Sequence, residues 1–450
     1  MFSQTKKRGL FATAALAASA MILSGCASTE ETPAPQPTST GSTEVSAPVT
    51  ISVLGEGAEN QVVYMDKLVE AFEALNPDIT IEVELRPGGA EGDNLVKTKL
   101  ATGEMNDVFF YNSGSLFQAL NPDEYLVDLS NEPWADNVVA SFWPTVSTAN
   151  GSYGAPYGTA MGGGVLYNKD VYAELGLSVP MTWDEFMANN AAIKAAGIDP
   201  VIQTYGDTWT SQMFVLADFH NVLQESPNFA DEYTNNIAKY ATDPAAIRGF
   251  EYLEELNAAG YYNSDYASAT FTEGVLKLAN GEGAHYPMLS FAVSTVLEVA
   301  PEAIDSIGFF AQPGPSADTN GLTVWMPNAV YIPKTTTGDE LIAAKKFLEF
   351  VVGPEGTQIY IDVNGQTGPF LIADAPVAEE LLPGFADMFP YFDKEGSTSP
   401  ALEFVSPVKG PALEQIAVAV GTGQYSAKDA AAIYDEDVKK QAQQLGLDGW

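Results

Sequence analysis

The sequence predicts a secreted α/β protein built from two lobes, and three features predict it. The first 26 residues have the layout of a secretory leader that ends in a cysteine. A polar tether follows, and roughly 400 residues remain after it, too many for a single core of the usual 100 to 200. The first of those residues alternate strand and helix patterns, which implies a parallel sheet with helices laid on it.

The leader consists of Lys6, Lys7 and Arg8, an apolar run over 10–23, and then Leu23-Ser24-Gly25-Cys26. The run falls short of the roughly 20 residues a bilayer-spanning helix needs, so the segment reads as cleaved and not as a permanent anchor. A small residue before a cysteine resembles the end of a bacterial lipoprotein signal. That resemblance makes Cys26 the expected lipidation site and the membrane surface the expected location. Cys26 is the single cysteine of the chain. Disulfides, redox pairs and cysteine-based zinc sites within one chain are therefore excluded. Residues 27–48 carry Pro33, Pro35, Pro37 and Pro48 among Ser, Thr and Glu. They have almost nothing to bury and read as a disordered linker.

The formal charge is −39; the leader holds three basic and no acidic residues, so the mature chain sets 17 basic against 59 acidic residues, or −42. Nucleic acid and anionic headgroups are poor partners for such a surface. The mature chain holds two arginines, Arg86 and Arg248. Sites for phosphates and carboxylates usually use bidentate guanidinium groups, so this scarcity points to a neutral ligand.

Along the chain, 50–54 is a β-branched and apolar run closed by Gly55-Glu56-Gly57, a strand running into a turn. Val62, Met65, Leu68, Phe72 and Leu75 recur at helical spacing, and Asn76-Pro77-Asp78 ends that helix. Residues 79–85 alternate as a strand, 94–102 read as a helix stopped by Gly103, and 108–111 form a buried strand. Ligands of parallel sheets sit beyond the carboxyl ends of the strands, here Glu56 and Tyr111-Asn112.

Residues 153–170 read Tyr-Gly-Ala-Pro-Tyr-Gly-Thr-Ala-Met-Gly-Gly-Gly-Val-Leu-Tyr-Asn-Lys-Asp. This stretch resembles the family 1 extracellular solute-binding proteins, the group that includes maltose-binding protein. In that family a Tyr-Gly-x-Pro strand crosses between lobes and a following strand ends in Tyr-Asn-Lys. Further matches follow in the family's order: Pro180, Thr182-Trp183-Asp184-Glu185-Phe186, 196–200, 281–284, 328–334 and 343–350 with Pro354-Glu355-Gly356. The stretch Gly281-Glu282-Gly283-Ala284-His285-Tyr286-Pro287-Met288 departs from the family's usual Gly-x-Ala-Ala-Met.

The resemblance implies a periplasmic-binding-protein-like fold with a hinge and an interlobe ligand cleft. Lobe 1 is expected at 49–158 with 311–352, and lobe 2 at 159–310 with 353–450. It implies the extracytoplasmic component of an ABC importer, which binds a carbohydrate by hinge closure and delivers it to the membrane permease. Such a protein is a monomer, is not an enzyme and needs no cofactor. Two alternatives stay open: a secreted carbohydrate-active enzyme, or the same fold binding a non-sugar solute.

The residues themselves speak to chemistry more weakly. His220 and His285 have no second histidine at metal spacing, so a zinc enzyme is improbable. His220 reads as packed, whereas His285 falls near the expected pocket. Gly162-Gly163-Gly164 leads into a strand rather than a helix N-terminus, which argues against a phosphate loop. Its glycines are expected to let the backbone approach a ligand or the facing lobe. Glu254-Glu255 and Asp435-Glu436-Asp437 read as solvated helix faces, not as a glycosidase pair. Thr182 and Glu185 have capping-box spacing, with Trp183 packed beside them.

Aromatic rings can cover the C–H face of a sugar while polar side chains bond its hydroxyls. Tyr205, Trp209 and Trp325 sit among Gly, Thr, Ser and Asp instead of in apolar runs, and they are the leading ligand contacts. Loops matched to the family add Glu56, Tyr111, Asn112, Met161, Phe291, Gln366 and Thr367.

Overall fold

A computed structural model describes residues 44–450 apart from 58, 88 and 448. The leader, Cys26 and the tether before residue 44 lie outside the described residues. Where the tether ends, Glu44 pairs with Lys346 at 3.0 Å and Ser46 with Asp339. Both partners lie on the helix Gly338–Val352. Among the described residues no helix is long and apolar enough to cross a membrane.

Lobe 1 is laid down in the expected order: β1 (Val49–Glu56), α1 (Glu59–Leu75), β2 (Ile79–Arg86), α2 (Gly89–Thr102) and β3 (Val108–Asn112). Met65, Leu68 and Phe72 of α1 are buried against the sheet, as their spacing requires. β1 pairs in parallel with β2 and β3. On β2 the apolar alternation outlasts the core. Ile79 and Ile81 are buried, whereas Val83 and Leu85 are exposed, because β2 is the edge of the sheet. α3 (Gly114–Gln118) follows β3 directly. β4 (Ala155–Pro156) is the last strand of this lobe before the chain leaves it.

Lobe 2 begins with β5 (Met161–Asn168), which runs through the middle of the second sheet. β6 (Asp199–Val201), β7 (Gly283–Leu289), β8 (Ile307–Ala311) and β9 (Leu322–Trp325) belong to the same sheet. β10 (Asn328–Tyr331) returns to lobe 1 and pairs antiparallel with β3 and β4, giving the order β2-β1-β3-β10-β4. β11 (Thr398–Pro400) pairs with β9, giving β11-β9-β5-β7-β6 with β8 beside β5.

Strand pairing redraws the boundaries expected from the resemblance. Residues 322–325 belong to lobe 2, because β9 pairs with β5 and β11, so the return crossing falls at Met326-Pro327 and not at 311. The helix Pro354–Asn364, expected in lobe 2, lies in lobe 1. Its Tyr360 meets Tyr64 of α1 edge-on at 5.4 Å.

Local expectations resolve individually. Thr182 and Glu185 form the capping box of the helix Trp183–Ala195. Trp183 is packed, with its ring stacked 3.7 Å from that of Tyr252. Gly162-Gly163-Gly164 opens space within its own lobe instead of toward a ligand. A Cβ on Gly163 would lie 2.2 Å from the Trp325 ring, and one on Gly164 would lie 2.3 Å from the Phe310 carbonyl oxygen. Glu254, Glu255 and Glu436 are exposed, as read, whereas Asp435 is buried, and four of these five carboxylates also accept hydrogen bonds from the protein. Asp435 takes the Tyr240 and Ala241 N–H groups at 2.9 Å, and Asp437 takes Ala412 N–H at 2.8 Å. Glu254 takes Ala427 N–H at 3.1 Å and Glu255 takes the Trp183 indole N–H at 2.7 Å.

Candidate functional site

The topology brings one edge of each sheet to the crossings. In lobe 2, Met161 pairs with Trp325 and Gly163 with Leu289, so the start of β5 and the ends of β7 and β9 share an edge. In lobe 1, Asn328 pairs with Asn112, which places the carboxyl end of β3 at the other end of the same crossing. Ser113 binds this crossing twice: its hydroxyl donates to the Met326 carbonyl at 2.5 Å and its N–H to the Pro327 carbonyl at 2.9 Å. The outgoing segment is tied as well. Thr159 bridges Phe370, and its hydroxyl lies 2.6 Å from that of Thr367. A Cβ on Gly368 would sit 2.1 Å from the Ala160 carbonyl oxygen, so this close approach requires glycine.

At the hinge-proximal edge of lobe 2 stands an aromatic cluster. Phe291 follows the carboxyl end of β7, and Trp209 lies on a 3-10 turn, Thr208–Gln212, beyond the end of β6. Trp209 and Phe291 have centroids 6.3 Å apart with planes inclined by 28°, and Phe271 lies 5.4 Å from Trp209 and 5.7 Å from Phe291. Trp209 is 37% exposed. Two carboxylates fix the turn: Asp207 accepts the Phe271 N–H at 2.7 Å, and Glu414 accepts the Thr208 hydroxyl at 2.7 Å. A held, half-bare ring of this kind presents an apolar face at low conformational cost.

Trp325 is placed differently from the expectation. It is 5% exposed, with its ring on Gly163 and beside Ala401 and Phe404. Its indole N–H donates to Glu403 at 2.8 Å, and Lys409 pairs with the other carboxylate oxygen. Trp325 is therefore a wall that joins β9 to the helix Leu402–Val405, not a free platform.

Tyr205 is not an open platform either. It is buried against Tyr262, Tyr266 and Gly421, where a Cβ would lie 1.9 Å from its hydroxyl. Tyr111 is buried, and its hydroxyl donates to Asp93 at 3.1 Å. Gln366 is buried and its side-chain oxygen accepts the Ala378 N–H at 2.6 Å, a loop-holding role. Glu56, Asn112, Met161, Phe291 and Thr367 are half-buried at the edges described above.

His285 stands on β7, an interior strand, and not in a pocket. Its Nδ1 lies 2.9 Å from the Asn190 side-chain oxygen and its Nε2 2.6 Å from the Tyr172 hydroxyl, a pairing that suits the neutral ring. Burial pushes its pKa down to about 3, and burial likewise lowers His220, packed as expected, to about 4. Among the described residues no group of three or more His, Cys, Asp or Glu side chains is arranged to hold a metal.

Sequence reading missed Phe271, Glu403, Lys409 and Glu414. Phe271 had a local signal, since Thr270 and Glu273 cap its helix in the same pattern as Thr182 and Glu185. Glu403 and Glu414 act through partners distant in sequence, and Lys409 acts through Glu403.

Residues 58–358 match the family described as bacterial extracellular solute-binding protein. The chain is 25% identical over 309 residues to a multiple sugar-binding protein of Streptococcus mutans serotype c, covering 67% of this chain and 70% of that one. Its fold is similar to the apo form of RafE from Streptococcus pneumoniae, with a TM-score of 0.73 and 25% identity over 88% of this chain and 99% of that one. Against RafE in complex with raffinose the TM-score is 0.67, with 24% identity over 87% and 100% of the two chains.

The two tryptophans are expected to part in one experiment. Covering a sugar face with Trp209 removes about 50 to 100 Å² of apolar surface from water, or roughly 1 to 2.5 kcal/mol. Trp209→Ala should therefore weaken binding about 5- to 70-fold and lower the apo melting temperature only slightly. Trp325→Ala should cost about 3 to 5 kcal/mol of folding stability. Calorimetric binding and thermal melts of both variants check this; unchanged affinity in Trp209→Ala would remove the aromatic cluster from the site.

Proposed function

The chain belongs to the bacterial extracellular solute-binding proteins, and from that premise we propose that it captures a neutral carbohydrate between its lobes and hands it to an ABC permease. It is a binding protein and not an enzyme. The observation that carries the sugar reading is the Trp209–Phe271–Phe291 cluster at the edge where the lobes are joined. One sugar ring lies against the aromatic faces; hydroxyls meet the carboxylates and amides at the carboxyl ends of the lobe 1 strands. The relative named for binding multiple sugars and the solved raffinose complex support this choice of ligand.

Capture proceeds by hinge closure about the crossings at 157–160, Met326-Pro327 and 365–370. Open and closed forms need differ by only a few kcal/mol for ligand to shift them. The mature protein works as a monomer outside the cytoplasmic membrane, held there by acyl chains on Cys26 after the leader is cleaved.

Titration calorimetry of the mature chain with neutral mono- and oligosaccharides tests the ligand class. At least one sugar should bind saturably, with affinity changing less than about tenfold between low and moderate salt, because no ion pair is screened. A larger salt dependence, or no binding across the panel, would contradict the neutral-sugar reading.

The anchor is tested separately in cells. Cys26→Ala should move the protein from the membrane fraction to the soluble extracytoplasmic fraction. Retention on membranes after a high-salt wash would show that something other than the lipid holds it.

A further inference from the structure

β1 and β2, on the side of the lobe 1 sheet away from the crossings, end in a charged pair facing the same way. β1 and β2 run parallel in register to their last residues, where Glu56 stands opposite Arg86, so the two side chains leave the same face of the sheet. Arg86 is 4% exposed. Its Nε has no hydrogen-bond partner. Among the described residues, its guanidinium makes one hydrogen bond, 3.3 Å long, to the Pro87 carbonyl, and has no carboxylate within ion-pair distance. The other arginine of the mature chain, Arg248, pairs with Glu225 at 2.7 Å.

The slot around Arg86 is built to hold the group in place. The guanidinium lies over the Tyr111 ring at 5.3 Å, and the Tyr111 hydroxyl is held by Asp93. The first turn of α2 passes close by: a Cβ on Gly92 would lie 2.8 Å from the Arg86 Nη1. The charges of both members act on the Tyr157 phenol. Burial raises its pKa, the charge of Glu56 raises it further, and that of Arg86 lowers it.

A desolvated guanidinium with five donors is costly unless those donors find acceptors. Among the described residues the bare Nε and one long backbone bond leave part of that demand unmet. We propose that Arg86 and Glu56 form a cradle on lobe 1 for two neighbouring hydroxyls of the bound sugar. This rests on the sugar reading above and assigns it a specificity-determining pair. The fork of the guanidinium matches two oxygens side by side. The adjacent Glu56 carboxylate accepts the hydrogen bond that a hydroxyl can donate. With Asp93 the cluster has a net formal charge of −1, which opposes an anionic ligand and favours a hydroxyl, which both accepts and donates.

The test compares Arg86→Met, Glu56→Gln and the double variant, using raffinose, maltotriose and N,N′-diacetylchitobiose as probes. Arg86→Met should melt at the same temperature as the wild type, or higher, without ligand, because an apolar group of similar length replaces an under-bonded charge. Its affinity for whichever probe the wild type binds should fall about ten- to hundredfold. Glu56→Gln should lose less, and the double variant should lose less than the two losses combined, since they act on one pair of hydroxyls. A fall of several degrees in the apo melt with affinity intact would make Arg86 a structural residue and overturn the cradle. Strictly additive losses would overturn the pairing. If the wild type binds none of the three probes and no other neutral sugar, the sugar reading fails and the cradle with it; a wild type that binds while Arg86→Met binds equally well sinks the cradle alone.

Discussion

Met326 and Pro327 carry the chain out of one sheet and into the other in two residues, and the rest of the architecture depends on this short crossing. β9 ends at Trp325 and β10 begins at Asn328, so two strands of different sheets are held almost end to end. Nothing long enough to act as a loop separates them, and Ser113 clamps both carbonyls of the crossing. The sheets can rotate about this point but cannot drift apart. In the proposed binding mode, that constraint brings a ligand on the aromatic cluster of lobe 2 within range of the strand ends of lobe 1 when the lobes rotate together.

The two sides of the cleft solve different physical problems. On lobe 2 the task is to keep an apolar ring in water without letting it collapse inward, and the 3-10 turn at Thr208–Gln212 does this through Asp207 and Glu414. Trp325 shows the opposite outcome: glycine at 163 leaves a slot, and the ring fills it. On lobe 1 the task is polar. Among the described residues Arg86 is buried without a carboxylate partner, which is unfavourable in the free protein, so in the proposed cradle a ligand that supplied acceptors would gain more than it would from an already satisfied side chain. In such an arrangement affinity derives from groups left incomplete, and stability from groups such as Trp325 and Trp183 that are completed within one lobe.

Much of lobe 1 and parts of lobe 2 were legible in the sequence because their signals are local. The stripe of α1, the apolar strand 108–111 and the capping box at Thr182 each depend on residues within a few positions of one another. The crossing at Met326-Pro327 was not legible. β9 is four residues long, and its membership is decided by pairing with β5 and β11, more than 70 residues away on either side. For the same reason Tyr205 and Trp325, which stand among polar neighbours, looked exposed. The glycines that bury them, Gly421 and Gly163, are remote in sequence. Trp209 and Phe291, singled out from composition and from matched loops, lie together with centroids 6.3 Å apart, whereas Glu403 and Glu414 could be found only through the side chains they hold.

The central claim is that a sugar is held by rotation of the two lobes about these crossings. Small-angle X-ray scattering of the mature chain, measured with and without a saturating sugar found by calorimetry, tests it most directly. The account predicts a smaller radius of gyration and a more compact distance distribution in the presence of sugar. Saturable sugar binding with an unchanged scattering profile would contradict it, because the ligand would then be bound without closure of the cleft.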